Sequence, residues 1–196
     1  EISLEPTRQR KLPVLDLPLA PPEDAMRNGD FVVSSRSDVT VLHRYRATSA
    51  LDYRIERLDS IHRDRALLLP TGFNPRAALL AQQWRATARR DEDVIQAALA
   101  LFRENFSYTL NAPPIGRDAM DDFLFETRAG YCEHFSSAFT VLMRAAGIPA
   151  RIVIGYQGGY WNPLGNYLVV RQSDAHAWSE VWLDGRGWVR IDPTGA

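Results

Sequence analysis

Residues 176–194 read His176-Ala-Trp-Ser-Glu-Val-Trp182-Leu-Asp-Gly-Arg-Gly-Trp-Val-Arg-Ile-Asp192-Pro-Thr194. Alternation puts His176, Trp178, Glu180 and Trp182 on one face of a strand, and Trp188, Arg190 and Asp192 on one face of the next. Asp184-Gly185 between them is a hairpin signal. Closing the hairpin at Trp182 and Arg186 sets His176 directly opposite Asp192, close enough to interact across the ladder. A strict two-residue loop would send the two to opposite faces, so the pairing requires an odd loop or a bulge at Gly187. Taken singly, a strand-end His and an Asp before Pro193 are ordinary structural residues.

Working back from this hairpin, Ala150–Tyr156 reads as a strand, Gly155–Gly165 as a Gly- and Trp-bearing loop, Tyr167–Arg171, His176–Leu183 and Gly187–Ile191 as further strands. Upstream, Cys132, Phe135, Phe139, Leu142, Met143 and Ala146 form one apolar stripe on a helix that stops at Gly147, with Pro149 just beyond. Earlier still, Arg76–Arg89 and Asp93–Asn105 have helical spacing, with Asp91 placed to cap the second. Residues 107–121, carrying Pro113, Pro114 and Gly116, are expected to be a long loop. Helices followed by antiparallel strands define an α+β fold. Residues 1–30, with five prolines, are expected to be an extended arm, and 31–70 a β-rich extension built on alternating Val39, Val41, His43, Tyr45 and Leu51, Tyr53, Ile55. Residues 71–196 form the domain that carries the chemistry.

The chain has 196 residues, 45% hydrophobic and 10% aromatic, enough for a core and against disorder or coiled coil. Its net charge is -1 and the single Lys, Lys11, stands among scattered Arg, so there is no nucleic-acid footprint. Lys11 lies in the expected arm, where it is the natural side-chain amine to be reached by a neighbouring molecule. No run approaches 18 apolar residues. The chain begins Glu1-Ile-Ser-Leu4 without Met, and is expected to be a piece of a longer protein whose targeting and membrane segments lie outside it.

With one cysteine the fold has no internal disulfide. A thiol in the first helical turn meets unsatisfied N–H groups and the positive end of the helix dipole, which favour the thiolate. Plain packing is the common fate of a lone Cys. A nucleophile also needs a base and a group to orient it. Of the four histidines, His43 sits in a strand-like stretch, His62 in a charged turn, and His134 two residues from Cys132, on a diverging helix direction. His176 remains, with Asp192 to face it. Cys132, His176 and Asp192 thus form a nucleophile, base and orienter set.

These residues fall in strings that resemble a known family. Arg128-Ala-Gly-Tyr-Cys132-Glu-His-Phe135, Ala146-Gly-Ile-Pro-Ala-Arg-Ile-Val-Ile-Gly-Tyr156, His176–Trp182 and Gly187–Thr194 look like successive blocks of the bacterial transglutaminase-like domains, a branch of the papain-like cysteine enzymes. The likeness covers residues 91–194 and carries the family's Cys, His and Asp onto Cys132, His176 and Asp192. More loosely, the first half, through Tyr53-Arg-Ile-Glu56 and Asn74-Pro-Arg76, is similar to the region before that domain in membrane-anchored protein-glutamine gamma-glutamyltransferases, whose soluble part faces the periplasm. The resemblance implies acyl transfer from a glutamine carboxamide, on a protein or peptide, to a primary amine or water. It implies no cofactor. The same constellation also suits a papain-like peptidase or amidase, or a silent domain that only binds peptide or cell wall. The Cys132 N–H is the first expected oxyanion donor; for the second, Trp84, Asn105 and Tyr108 stand open. Tyr131, Tyr156 and Trp161 are candidate substrate contacts. Asp118-Ala-Met-Asp-Asp122 lacks chelator spacing and reads as a helix cap, so no metal is expected.

Overall fold

The computed structural model describes every residue except Arg54, Glu56 and Ala196; the string Tyr53–Glu56 therefore lies partly outside the described residues. The chain divides into two units, Glu1–Arg54 and Ile55–Ala196.

In the first unit, six short strands pair antiparallel: β1 (Ile2–Leu4), β2 (Pro18–Ala20), β3 (Ala25–Arg27), β4 (Val33–Ser35), β5 (His43–Tyr45) and β6 (Thr48–Ser49), as β1 with β5, β2 with β6 and β3 with β4. Leu12, Ala25, Val33, Val39 and Tyr45 make a small buried cluster. The Pro-rich segment is woven into this unit, contrary to the reading as an arm. Prolines are tolerated at the edges of two-stranded ribbons, where no ladder N–H is lost, and Lys11 itself is bridged to Ser34.

The second unit opens with α1 (Ser60–Leu67), where sequence alternation had placed residues 65–69 in a β-rich stretch. Asp59 decides the matter: its carboxylate accepts the His62 backbone N–H at 2.9 Å and bonds the ring Nδ1 at 2.7 Å, an N-cap that nucleates the helix. Helices α2 (Pro75–Thr87) and α3 (Asp91–Asn105) follow as expected, except that Arg90 is the N-cap of α3 and Asp91 its first helical residue. The expected 107–121 loop is interrupted by β7 (Ser107–Tyr108) and by α4 (Ala119–Asp121), which continues as a π-turn through Asp122–Thr127. After β8 (Ala129–Gly130), paired parallel to β7, comes α5 (Cys132–Ala145).

The remaining strands are β9 (Ala150–Tyr156), β10 (Tyr160–Asn162), β11 (Tyr167–Val169), β12 (Ala175–Leu183) and β13 (Gly187–Ile191). Strands β13, β12 and β9 form one antiparallel sheet in that order, while β10 and β11 make a separate hairpin. The closing pair of the β12–β13 hairpin is Leu183 with Gly187, and Glu180 faces Arg190. The loop therefore has three residues, Asp184-Gly185-Arg186, with both Gly185 and Gly187 at positive φ. Its odd length keeps His176 and Asp192 on one face; the register is displaced by one residue on each strand from the Trp182–Arg186 closure, so the two sit diagonally and not directly opposite.

Helix α5 is the core of this unit. Phe135, Ala138, Phe139, Leu142 and Met143 pack between Ala77 and Ala81 of α2, Val94, Ala98 and Phe102 of α3, Phe123 and Leu124, and Val181 and Leu183 of the sheet, all buried. A cluster of this size, at about 25 cal/mol per Å² of apolar surface removed from water, dominates the stability of the unit. Arg144 at its far end donates to the Ala150 carbonyl at 2.9 Å and the Leu68 carbonyl at 2.8 Å. The acidic group at 118–122 serves as caps: Asp121 accepts the Arg76 and Ala77 N–H groups at 2.9 and 2.7 Å, Asp118 accepts the Asn74 N–H, and Asp122 the Gly116 N–H. Asp121→Ala is expected to lower unfolding free energy by about 1–2 kcal/mol, read by urea denaturation, since it removes a buried cap from the start of α2.

Candidate functional site

The start of α5 is built to present one side chain. The π-turn closes with Arg128 in the left-handed region at φ 49°, its N–H bonded to the Phe123 carbonyl at 3.0 Å. Strand β8 then carries the chain to Tyr131, an extended N-cap, and Cys132 is the first helical residue, partly accessible. The Tyr131 N–H donates to Nδ1 of His134 at 3.4 Å, and the His134 ring stands edge-on to that of Tyr131 at 4.4 Å. Gly130 is required here: a Cβ would lie 2.8 Å from the His134 ring. His134 is thus an anchor of the turn that presents the thiol, a role its position two residues after Cys132 did not reveal.

Which end of the sheet faces that thiol follows from the helix. The far end of α5 is tied through Arg144 to Ala150, and Ala150 pairs with Val181. Midway, the buried Ser179 hydroxyl donates to the Ser136 carbonyl at 3.0 Å. The first turn of α5 therefore lies toward the other end of β12, where His176 pairs with Gly155.

There His176 Nε2 and Asp192 Oδ2 are 2.7 Å apart, both side chains largely buried. A carboxylate only accepts, so Nε2 carries a proton, and in the neutral imidazole the lone pair is then on Nδ1. Burial alone would raise the Asp192 carboxyl, but hydrogen bonds from the Thr194 hydroxyl at 2.6 Å, from His176 and from the Thr194 N–H at 3.1 Å hold it below the usual carboxylate range. Thr194, which bonds the Asp192 carboxylate twice, does not stand out in the sequence as a site residue; its position two residues after the Asp, across Pro193, is the signature of a side-chain turn. His176 also lies parallel to Trp178 at 6.3 Å, and Trp178 is covered by the Arg190 guanidinium at 4.1 Å.

Tyr108 completes the neighbourhood. Its hydroxyl lies beside the backbone N–H and thiol of Cys132 and feels the charge of Asp192, so the loop residue, the helix start and the hairpin meet at one place. Burial first, and then the Cys132 and Asp192 charges, push the phenol above its ordinary value. Of the other two candidate donors, Asn105 bonds the Leu101 carbonyl with its side-chain amide and Trp84 packs on the core. Tyr156 lies exposed at the end of β9, its hydroxyl 3.2 Å from Gln172 Oε1, and Trp161 lies half-exposed on the β10–β11 hairpin opposite Leu168. Among the described residues, no hydrogen bond or ring contact joins Trp161 to His176 or Cys132. Also among the described residues, no group of three or more His, Cys, Asp or Glu is arranged to hold a metal ion, and no helix is long and apolar enough to cross a membrane.

Residues 78–193 match the model of the transglutaminase-like superfamily, and the chain belongs to that family. It is 42% identical to a protein-glutamine gamma-glutamyltransferase of Pseudomonas aeruginosa over 99% of its own length and 29% of that protein. It is 34% identical to YebA of Bacillus subtilis, an uncharacterised protein, over 90% of this chain and 25% of that one. The chain thus spans less than a third of the length of either of these two relatives. Among solved structures, the periplasmic domain of TgpA from P. aeruginosa superposes with a TM-score of 0.93 at 43% identity, covering 98% of this chain and 67% of that one. The fold is α+β, with a papain-like arrangement of helices against an antiparallel sheet, and a candidate cysteine protease from Cytophaga hutchinsonii shares it at 20% identity with a TM-score of 0.55.

The depressed Asp192 carboxyl sets a pH dependence. A carboxylate whose folded value lies below its unfolded one stabilises the protein above the unfolded value near pH 3.9, and that contribution is lost as pH falls toward the folded value. Asp192→Asn is therefore expected to lower the melting temperature at neutral pH and to flatten its fall below about pH 4, measured by thermal unfolding across an acid series.

Proposed function

We propose that this chain is the acyl-transfer domain of a periplasmic, membrane-anchored protein-glutamine gamma-glutamyltransferase, with Cys132 as nucleophile, His176 as general base and acid, and Asp192 as its orienter. The 2.7 Å His176–Asp192 bond carries the reading, because it fixes the proton on Nε2 and leaves Nδ1 as the base at the end of β12 that faces the start of α5. The 42% identity across 99% of the chain supports the substrate class.

In this reading Nδ1 takes the Cys132 proton as the sulfur attacks the glutamine carboxamide carbon. The carbonyl electrons move to oxygen, where the Cys132 N–H at the helix start meets them. Collapse restores the carbonyl, breaks the C–N bond and sends the amide nitrogen off as ammonia with the proton held by His176. The thioester is then opened by a primary amine, which gives an isopeptide, or by water, which gives glutamate; His176 removes the proton from the incoming group and returns it to sulfur. Asp192 stabilises the imidazolium throughout. No step calls on a metal or cofactor. Tyr131, beside the thiol, and Tyr156 and Trp161, on the exposed apolar surface of β9 and the following hairpin, serve as contacts for the flanking protein chain.

Incubating the chain with a glutamine peptide and a primary amine should yield, by mass spectrometry, a peptide that has gained the amine and lost ammonia, together with a thioester on Cys132. Cys132→Ala should lose roughly a thousandfold or more in turnover with an unchanged fold. Cleavage of the peptide backbone instead would assign a peptidase, and full activity of the Ala variant would assign a binding module. Trp161→Ala is expected to raise KM several-fold with little change in melting temperature, read in the same assay against a thermal scan; a large stability loss with unchanged kinetics would place Trp161 in the fold alone.

A further inference from the structure

We infer that the Tyr108 hydroxyl is the second oxyanion donor of this site, acting with the backbone N–H of Cys132 on the carbonyl oxygen of the acyl donor. The inference rests on the acyl-transfer reading above and identifies a residue that completes it.

The placement comes from the backbone. Strand β7 pairs parallel with β8 so that Tyr108 lies beside Gly130, and the pairing is fastened on both sides, by the Ser107 N–H to the Arg128 carbonyl at 3.0 Å and the Thr109 N–H to the Gly130 carbonyl at 2.7 Å. Two residues after Gly130 comes Cys132. The Tyr108 ring stacks at 6.3 Å on Phe135, one turn into α5 and itself buried. The phenol is thus held at its base by a strand and on its face by the helix that carries the thiol. About half of the residue remains exposed, so an incoming carboxamide can reach the hydroxyl from solvent.

The neighbours of the hydroxyl give the role. A phenol has one proton and two lone pairs. The Tyr108 hydroxyl stands beside both the backbone N–H and the sulfur of Cys132. Two donors therefore converge on the space beside the thiol, one from the helix start and one from a side chain, which is the geometry an oxyanion requires. When sulfur bonds to the carboxamide carbon, its negative charge passes to the carbonyl oxygen. The phenol proton stays on its oxygen throughout, and the O–H and the Cys132 N–H both donate to the oxyanion. On collapse the carbonyl re-forms and the two donors are released. Burial, with the Cys132 and Asp192 charges, opposes ionisation of Tyr108 and keeps this donor protonated.

Tyr108→Phe keeps the ring on Phe135 and removes only the donor. Acylation is followed with two donors, a glutamine peptide and an activated aryl ester, and compared with alkylation of Cys132 by iodoacetamide at alkaline pH, a displacement at an sp³ carbon that develops no oxyanion. The expected result is a fall of about 100- to 1000-fold in kcat for both acyl donors, with KM and the alkylation rate changed less than about threefold. Equal losses in acylation and alkylation would make Tyr108 a positioning residue for the thiol, and unchanged acylation would remove it from the reaction; either overturns the inference. A wild-type chain that accepts the ester and rejects glutamine overturns the transglutaminase reading while leaving the Tyr108 comparison intact, and one inert to both donors overturns the two together.

Discussion

The second unit depends on one buried contact between a helix and a strand. Ser179, fully enclosed in β12, donates its only proton to the carbonyl of Ser136, so the 3.1 Å approach of Thr140 has the threonine hydroxyl donating to Ser179. A neutral pair of this kind contributes about 0.5–1.5 kcal/mol each, but leaving either group unpaired in this position costs about 1–3 kcal/mol. The asymmetry makes the contact a register lock. Any slide of α5 along β12 by one residue would strand polar groups in a core otherwise made of Phe139, Leu142, Met143 and Val181. Because Cys132 lies one turn before Ser136 and His176 three residues before Ser179, the lock also fixes how far the helix start stands from the histidine.

Apolar core and polar site are therefore one construction. The face of β12 that carries Ala177, Ser179 and Val181 is pinned to α5, and Trp178, Glu180 and Trp182 lie on the other face. That second face is held by charge and aromatic surface: Glu180 meets Arg151 at 2.7 Å, Arg151 lies over Trp188 at 4.3 Å, and Arg190 over Trp178 at 4.1 Å. Trp178 has room for its ring because Gly155, diagonal to it across the β9–β12 ladder, lacks a Cβ, which would sit 2.8 Å from the indole. The imidazole of His176 is thus backed by a plane whose own position is fixed from the strands on both sides.

What the sequence disclosed and what it hid divide along physical lines. Strands β9 and β13 and helix α5 were legible because each buries a single periodic face, and periodicity survives whatever the rest of the chain does. The His176–Asp192 face was legible through parity alone, since any odd loop preserves it, whereas the true closing pair depends on positive φ at Gly185 and Gly187, which period two does not report. Residues 60–67 escaped because α1 buries little, only Ala66; its formation rests on the Asp59 cap, a local signal outweighed in reading by the alternation upstream. Strands β1, β2 and β3 of the Pro-rich segment 1–30 escaped for the converse reason: they have three residues each and are recognisable only once paired, whereas the alternation after residue 31 did disclose the strands there. Tyr108 and Thr194 act through turns and a two-residue parallel pairing, features with no period at all.

The same charges that organise the site also separate its tasks. Asp192, surrounded by the Thr194 hydroxyl, the Thr194 N–H and the His176 ring, is held as an anion despite its burial, and an anion there obliges Nε2 to carry the imidazole proton. The opposite holds for Tyr108, where burial and neighbouring negative charge resist ionisation and preserve a neutral O–H. In the proposed reaction one acid is kept ionised so that a base has its lone pair facing outward, and another is kept neutral so that a donor persists beside the sulfur. Neither assignment follows from residue type; both follow from hydrogen bonds that point toward Asp192 and from anions that stand near Tyr108. Because the two groups belong to different segments, the hairpin end and the β7 strand, and meet only at the start of α5, the acid and donor functions exist only when that helix is docked in the register that Ser179 sets.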